Sequence, residues 1–388
     1  MDFDKRVNRD YTEATKWEKY RNVIQDKEQI PMWIADMDLA CSEAIQDALL
    51  KRAKHPIYGY SDRDVSYLEL FAKRFNDMHN YQVTADNIVL STGVIYAITC
   101  ALRLFSKQGD HVVILSPSYA PFTKLIEHCK RKVVRSEMVK GDERYEIDFD
   151  DLDAKLADAK VLLLCNPHNP TGRVFDHKEV TQMAKLCEKH NIVIISDEIH
   201  ADITYDHHDF VPIMNVSEYT KAHTIACVSP TKTFNMAGLK ISGVIIKNRS
   251  WYKTFQKEAA MIGISSINVF AMQAIKAAYL QSDEWEKENR AYLKANRNRI
   301  KEYFASCIPD IQSYQPEGTY FYWIDLSNYQ ESDKLLEKFL DHGLILSGGL
   351  EFSPLSKNFV RLNFACSKEQ LECCLEVMKE VLTGEKLK

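Results

Sequence analysis

Four short stretches of this chain carry residue types at spacings that could do covalent and anion-binding chemistry. Lys232 follows the apolar run TIACVS and lies in SPTKTFNMAGLK, with Ser229 and Thr231 before it and Lys240 eight residues on. A lysine at the end of a buried strand is desolvated, which lowers its pKa and makes its amine a potential nucleophile; on a solvated turn it would have none of that chemistry. Asp197, in ISDEIHAD, follows IVII at the C-terminal end of a predicted parallel strand, where ligands of open α/β sheets bind. Asn169 lies in CNPHNPTG, where two Asn-Pro steps and a Thr-Gly turn fix a loop from which its amide can donate to a ligand oxygen. STGVIYAI places Gly93, Val94 and Ile95 at a strand-to-helix turn, where free N–H groups and the helix dipole form an anion site. Each stretch alone has an ordinary explanation as a turn, a cap or a surface cation.

A Schiff-base lysine, an acid for a pyridinium nitrogen, an amide for a ring oxygen and a phosphate cup together suit one cofactor, pyridoxal 5'-phosphate. With these motifs in order, the sequence resembles the fold-type I pyridoxal-phosphate enzymes of the class I/II aminotransferase superfamily, and within it the cystathionine β-lyase, or carbon–sulfur lyase, subgroup. The resemblance spans nearly the whole chain, from KWEKY (16–20), IPMWIADMD (30–38) and IYGYS (57–61) through SPSYAPF (116–122), NPHNPTG, SDEIHAD and SPTKTFNMAGL to EGTYFYWIDL (317–326) and FVRLNFAC (359–366).

The resemblance implies that Lys232 anchors the cofactor and later carries the substrate Cα proton, that Asp197 keeps the pyridine nitrogen protonated, and that Asn169 bonds the ring O3'. It implies Tyr119 on the ring face, with the phosphate held by the turn Gly93–Val94–Ile95, by Ser229 and Thr231, and by Lys240. Arg361 would take the substrate α-carboxylate through the guanidinium fork, with Tyr119 and Asn169 beside it. Tyr60 resembles the family tyrosine that reaches the neighbouring active site of a homodimer; whether it or Tyr58 does so stays open. Two positions depart from the general aminotransferase pattern. His200 stands where many aminotransferases have a tyrosine donating to O3', which resembles the lyase subgroup, and Lys240 stands where many have an arginine. The implied activity is β-elimination from L-cystathionine, L-cysteine or S-substituted cysteines to a thiol or sulfide, pyruvate and ammonia. An aminotransferase of the same fold and a cofactor-binding regulatory protein are the alternatives.

These residues need elements to position them. Apolar runs near 87–91, 111–115, 132–138, 160–165, 192–196, 223–229 and 242–247 alternate with helical patterns including 94–106, 121–130 and 176–190, the signature of crossover-connected, mostly parallel strands. The expected fold is α/β: an aspartate-aminotransferase-like large domain with a mostly parallel seven-stranded sheet, and a smaller α+β domain. Residues 1–44 read as an N-terminal arm or part of the small domain, 45–282 as the large cofactor-binding domain and 283–388 as the small domain. The charge-rich helix from 283, TYFYWIDL, a helix over 331–341, FVRLNFA and a last helix over 367–383 fall in the last of these.

The 388 residues are 45% hydrophobic with a formal charge of -5 and both signs interspersed, which points away from nucleic acid and from a polybasic membrane patch. Ten scattered cysteines without a C-x-x-C pair predict reduced thiols. With no apolar leader in MDFDKRVNRD and no run of ~20 apolar residues, the expectation is a cytoplasmic enzyme without a membrane span. No metal is expected; adjacent His207 and His208 point in different directions.

Overall fold

The structure, a computed structural model, describes residues 1–24, 28–61 and 65–384. The seven apolar runs form strands β1 (Ile88–Ser91), β2 (His111–Ser116), β3 (Lys132–Glu137), β4 (Ala159–Cys165), β5 (Val193–Asp197), β6 (Thr224–Val228) and β7 (Ser242–Ile245), each within two residues of its predicted ends. They make one sheet in the order β1-β7-β6-β5-β4-β2-β3. β7 is antiparallel to both neighbours, and every other pair is parallel.

The helices that matter for the site are α1 (Ser66–His79), α2 (Val94–Phe105), α3 (Pro121–His128), α4 (His177–Lys189), α5 (Asp283–Cys307) and α6 (Lys368–Thr383). Gly93 turns the chain from β1 into α2 at φ +144°, a conformation that a Cβ disfavours. α4 begins in a reciprocal cap, with Asp176 accepting from the Lys178 and Glu179 N–H groups while Glu179 accepts from the Asp176 N–H. α5 carries Asp283, Glu284 and Glu286 in its first turn, where the helix dipole favours negative charge.

Successive strand side chains alternate between two cores. Val112, Ile114, Val161 and Leu163 pack with Ala97, Cys100 and Ala101 of α2. Val113, Leu115, Leu162 and Leu164 pack with Val180, Met183 and Cys187 of α4. Burial on both faces explains why these strands read as continuous apolar runs. Each such Val or Leu contributes about 1.5–3 kcal/mol of transfer free energy, which makes the sheet a stiff platform for the loops at its C-terminal edge.

A second sheet is wholly antiparallel, in the order β8 (Gln312–Ser313), β9 (Phe321–Asp325), β11 (Phe359–Asn363), β10 (Ser347–Gly348). The N-terminal segment joins this part of the chain: Ile30 and Pro31 pair in parallel with Leu344 and Ile345, and the Asp38 N–H donates to the Ala365 carbonyl at 2.9 Å. The helix expected over 331–341 is a 3-10 turn, Ser332–Lys334, followed by a helix, Leu335–Asp341, and Glu331 stands before both at a left-handed φ of +51°. No helix among the described residues is long and apolar enough to cross a membrane.

Candidate active site

The C-terminal ends of β4, β5 and β6 and the turn after β1 converge on a cavity of about 210 Å³. One water needs roughly 10–15 Å³ on this measure, so the space suits a small organic molecule. Gly93, Val94, Ile95, Tyr119, Asn169, Asp197, His200, Ser229, Thr231, Lys232 and Lys240 line it. Arg361 stands one side chain behind, and Tyr60 is not brought to the cavity of its own chain.

Lys232 leaves the end of β6 half-buried, and its Nζ donates to the Ala35 carbonyl. Loss of solvent lowers its ammonium to about 8, with Arg361 and Lys16 pushing the same way and Asp36 and Asp197 opposing. An amine with this value is partly neutral near pH 8 and can both attack a carbonyl and carry a proton. The next residue is anchored too: Thr233 Oγ1 donates to Asp202 Oδ2 at 3.1 Å, and Asp202 pairs with Arg74 at 3.0 Å and His79 at 2.7 Å of α1.

Ala35 is held by the most buried cation of the N-terminal segment. Lys16 Nζ donates to the Asp36 carbonyl at 3.0 Å and pairs with Asp38 at 2.7 Å. Arg9 also pairs with Asp38 at 2.7 Å, and Trp17 Nε1 donates to it at 3.0 Å. Asn363 of β11 donates to the Ile34 and Asp36 carbonyls on either side of Ala35. Trp17 and Trp33 are both hydrogen-bonded within this segment, while the Ala35 carbonyl was invisible to sequence reasoning because it belongs to the backbone.

Asp197 ends β5 with its carboxylate buried. The Ile199 N–H donates to Oδ1 at 3.2 Å, yet burial dominates and raises the acid to about 7. No described cation lies within ion-pair distance of it, so a protonated ring nitrogen is the partner that would restore its charge. His200 is also buried, with Nδ1 lacking a hydrogen-bond partner and Tyr320 and Phe321 edge-on to its ring at 5.5 and 5.6 Å. Burial holds this imidazole well below its ordinary pKa, hence neutral. Tyr119, which also lines the cavity, has its phenol raised to about 12 by burial, so it remains protonated.

At the other end of the cavity Ser229 Oγ and Thr231 Oγ1 lie 2.7 Å apart, and Ser229 also donates to the Ile241 carbonyl. Lys240 is exposed at a left-handed φ of +51° and lines the same cavity. The first N–H groups of α2, at Val94 and Ile95, have no intrahelical acceptor, as at any helix start. Hydroxyls, a cation and helix N–H groups are the donor set of a phosphate site.

Arg361 of β11 lies between the rings of Phe321 and Phe352, 4.2 and 4.8 Å from their centroids. It donates to Asn169 Oδ1 at 2.9 Å and to the Trp33 carbonyl at 2.7 Å, while its buried Nε has no partner. Because the Asn169 oxygen is occupied, its NH₂ group is left to donate into the cavity. Tyr58 and Tyr60 differ in kind. Tyr58 donates to the Ala53 carbonyl at 2.7 Å and packs on Phe270, whereas Tyr60 is fully exposed.

Pyridoxal phosphate fits this donor set: an uncompensated buried acid at one position, a near-neutral lysine amine at a second and an anion cup at a third. Among the described residues no His/Cys/Asp/Glu group could hold a metal.

The comparisons with known proteins agree with the chemistry of the site. The model of the aminotransferase class I and II family matches residues 27–378. The chain is 35% identical to cystathionine beta-lyase PatB of Bacillus subtilis (strain 168) over 387 residues, 99% of this chain and 100% of that one. The solved structure of cystalysin from Treponema denticola, which contains pyridoxal 5'-phosphate, superimposes with a TM-score of 0.94 at 28% identity, covering 99% of each chain. The pyridoxal-phosphate-bound C–S lyase of Staphylococcus hominis gives a TM-score of 0.91 at 28% identity over 98% of each.

Proposed function

The chain belongs to the aminotransferase class I and II family, and we propose that within it the protein is a pyridoxal-phosphate-dependent carbon–sulfur β-lyase. Its substrates are L-cystathionine, L-cysteine or S-substituted cysteines, which with one water give a thiol (or sulfide), pyruvate and ammonia. The observation that carries this reading is the near-neutral Lys232 amine sharing one cavity with the buried, uncompensated Asp197.

When bound, the cofactor would supply an electron sink for the Cα–H electron pair, which then allows the thiolate to leave Cβ with the pair of the Cβ–S bond. Asp197 holds the proton on the ring nitrogen that makes the sink effective. Lys232 Nζ takes the Cα proton, and the Ala35 carbonyl orients the amine for it. Arg361, backed by Asn169 and two aromatic faces, fixes the substrate carboxylate. Neutral His200 adds no second charge beside Lys232. The test is acceptor-free pyruvate release from cystathionine and S-substituted cysteines. Substrate consumed only when a keto-acid acceptor is supplied, with the carbon–sulfur bond kept and no pyruvate released, would instead mark an aminotransferase.

The homodimer is part of the proposal. Tyr58 is tied to its own chain while Tyr60 extends into solvent, which supports Tyr60 as the side chain that enters a partner's cavity. The ten cysteines, all unpaired, support a reducing, cytoplasmic setting. Residues 45–282 serve as the cofactor-binding domain, with the arm 1–44 and residues 283–388 closing over it.

A further inference from the structure

Beside the cavity runs a larger groove of about 780 Å³, and the two share Ile95. Phe352 lines the groove and packs on the Arg361 guanidinium, so one phenyl ring separates the groove from the arginine that the proposed function assigns to the substrate carboxylate. Its floor is apolar, including Leu350, which is 60% exposed. Two cations line the groove, Lys124 of α3 and Arg135 of β3, the edge strand of the large sheet. Glu351 lines it as well.

Glu351 acts at a distance on Arg361, and neither Lys124 nor Arg135 is neutralised by a close carboxylate. Among the described residues none of the three belongs to an ion pair. Arg135 donates only to Thr123, at 3.0 Å, and its solvent-shielded Nε has no partner. Glu351 accepts from the Gly348 N–H at 3.1 Å through Oε1, which leaves Oε2 for a ligand. A half-buried guanidinium with an unmatched donor favours a carboxylate, because each N–H left without an acceptor away from water costs free energy.

We propose that this groove is the subsite for the leaving group and selects thioethers whose distal end is itself an α-amino acid. The methylene–sulfur–methylene chain lies along Phe352 and Leu350, the distal carboxylate meets Arg135 and Lys124, and the distal ammonium meets Glu351. L-Cystathionine has this form; S-methyl-L-cysteine lacks the tail. The inference rests on the lyase reading, which supplies the substrate whose near end is fixed at Arg361.

The test compares the holoenzyme's kcat/KM for L-cystathionine with that for S-methyl-L-cysteine, by acceptor-free pyruvate release. The ratio is expected to fall on the order of tenfold in Arg135→Gln and about threefold in Lys124→Glu and Glu351→Gln. Lys124 is exposed on a helix surface, so its variant decides the matter if Arg135→Gln does not fold. The wild-type ratio should also drop as salt screens the tail contacts. Pyruvate from both substrates, with a ratio unchanged in Lys124→Glu and Glu351→Gln, overturns the subsite alone. No pyruvate from either substrate in the wild type overturns the lyase reading, and the subsite with it.

Discussion

Arg361 Nη1 donates to Asn169 Oδ1 at 2.9 Å across 192 residues of chain, joining the antiparallel sheet to the loop that follows β4. The residue proposed to grip substrate and the residue proposed to grip the cofactor ring are therefore one hydrogen-bonded unit. Asn169→Ala leaves a buried guanidinium donor unmatched and is expected to lower kcat/KM roughly 10–100-fold. Asn169→Asp should raise KM further, because its carboxylate competes with the substrate's for Arg361. Steady-state kinetics of the two variants check the order.

The cofactor-free chain should have a stability minimum near pH 7–8. Asp197 titrates at about 7 when folded against an ordinary 3.8, so between those values the folded state holds the extra proton and stability falls as pH rises. Lys232 titrates at about 8 against an ordinary 10.5, so between those values the unfolded state holds the extra proton and stability rises with pH. Asp197→Asn is expected to stabilise the cofactor-free chain at pH 8 by on the order of 2–4 kcal/mol while removing most activity from the loaded enzyme. Thermal denaturation of both chains across pH 4–10 reads this directly.

Lys16→Met removes the buried ammonium beneath the Ala35 segment. Asp38 keeps Arg9 and Trp17, so the expected cost is about 2–3 kcal/mol rather than that of a fully orphaned charge. The loosened Trp33 and Ala35 carbonyls should raise KM as well, since they position Arg361 and Lys232. Chemical denaturation paired with KM measurement tests both effects.

If Tyr60 serves the partner's cavity, Tyr60→Phe and Lys232→Ala damage different halves of each site. Each variant alone should have low or no activity. Unfolded together and refolded, they should recover up to about a quarter of wild-type activity, carried by hybrid dimers with one intact site. Failure of the mixture to exceed its components would place Tyr60 outside the partner's site.

Much of the frame is legible in the sequence because two-faced burial writes a parallel strand as an uninterrupted apolar run: VLLLC and IVIIS mark β4 and β5 almost to the residue. Asp197, Asn169 and Lys232 are legible for a related reason, each sitting directly after such a run. Pairings such as Ile30 and Pro31 with Leu344 and Ile345 are too short to show a period of two. The left-handed Glu331 left no signal, since glutamate there reads as ordinary helix.

By itself, then, the sequence determined which side chains can do the chemistry and which strand ends carry them, because burial and side-chain type are local properties. The tertiary structure alone decided that a backbone carbonyl at Ala35 meets Lys232, that Asn169 backs Arg361, and that Arg135 and Glu351 face one groove. Those relations join segments roughly 190 to 330 residues apart or involve groups that no side chain encodes, so only packing could bring them together.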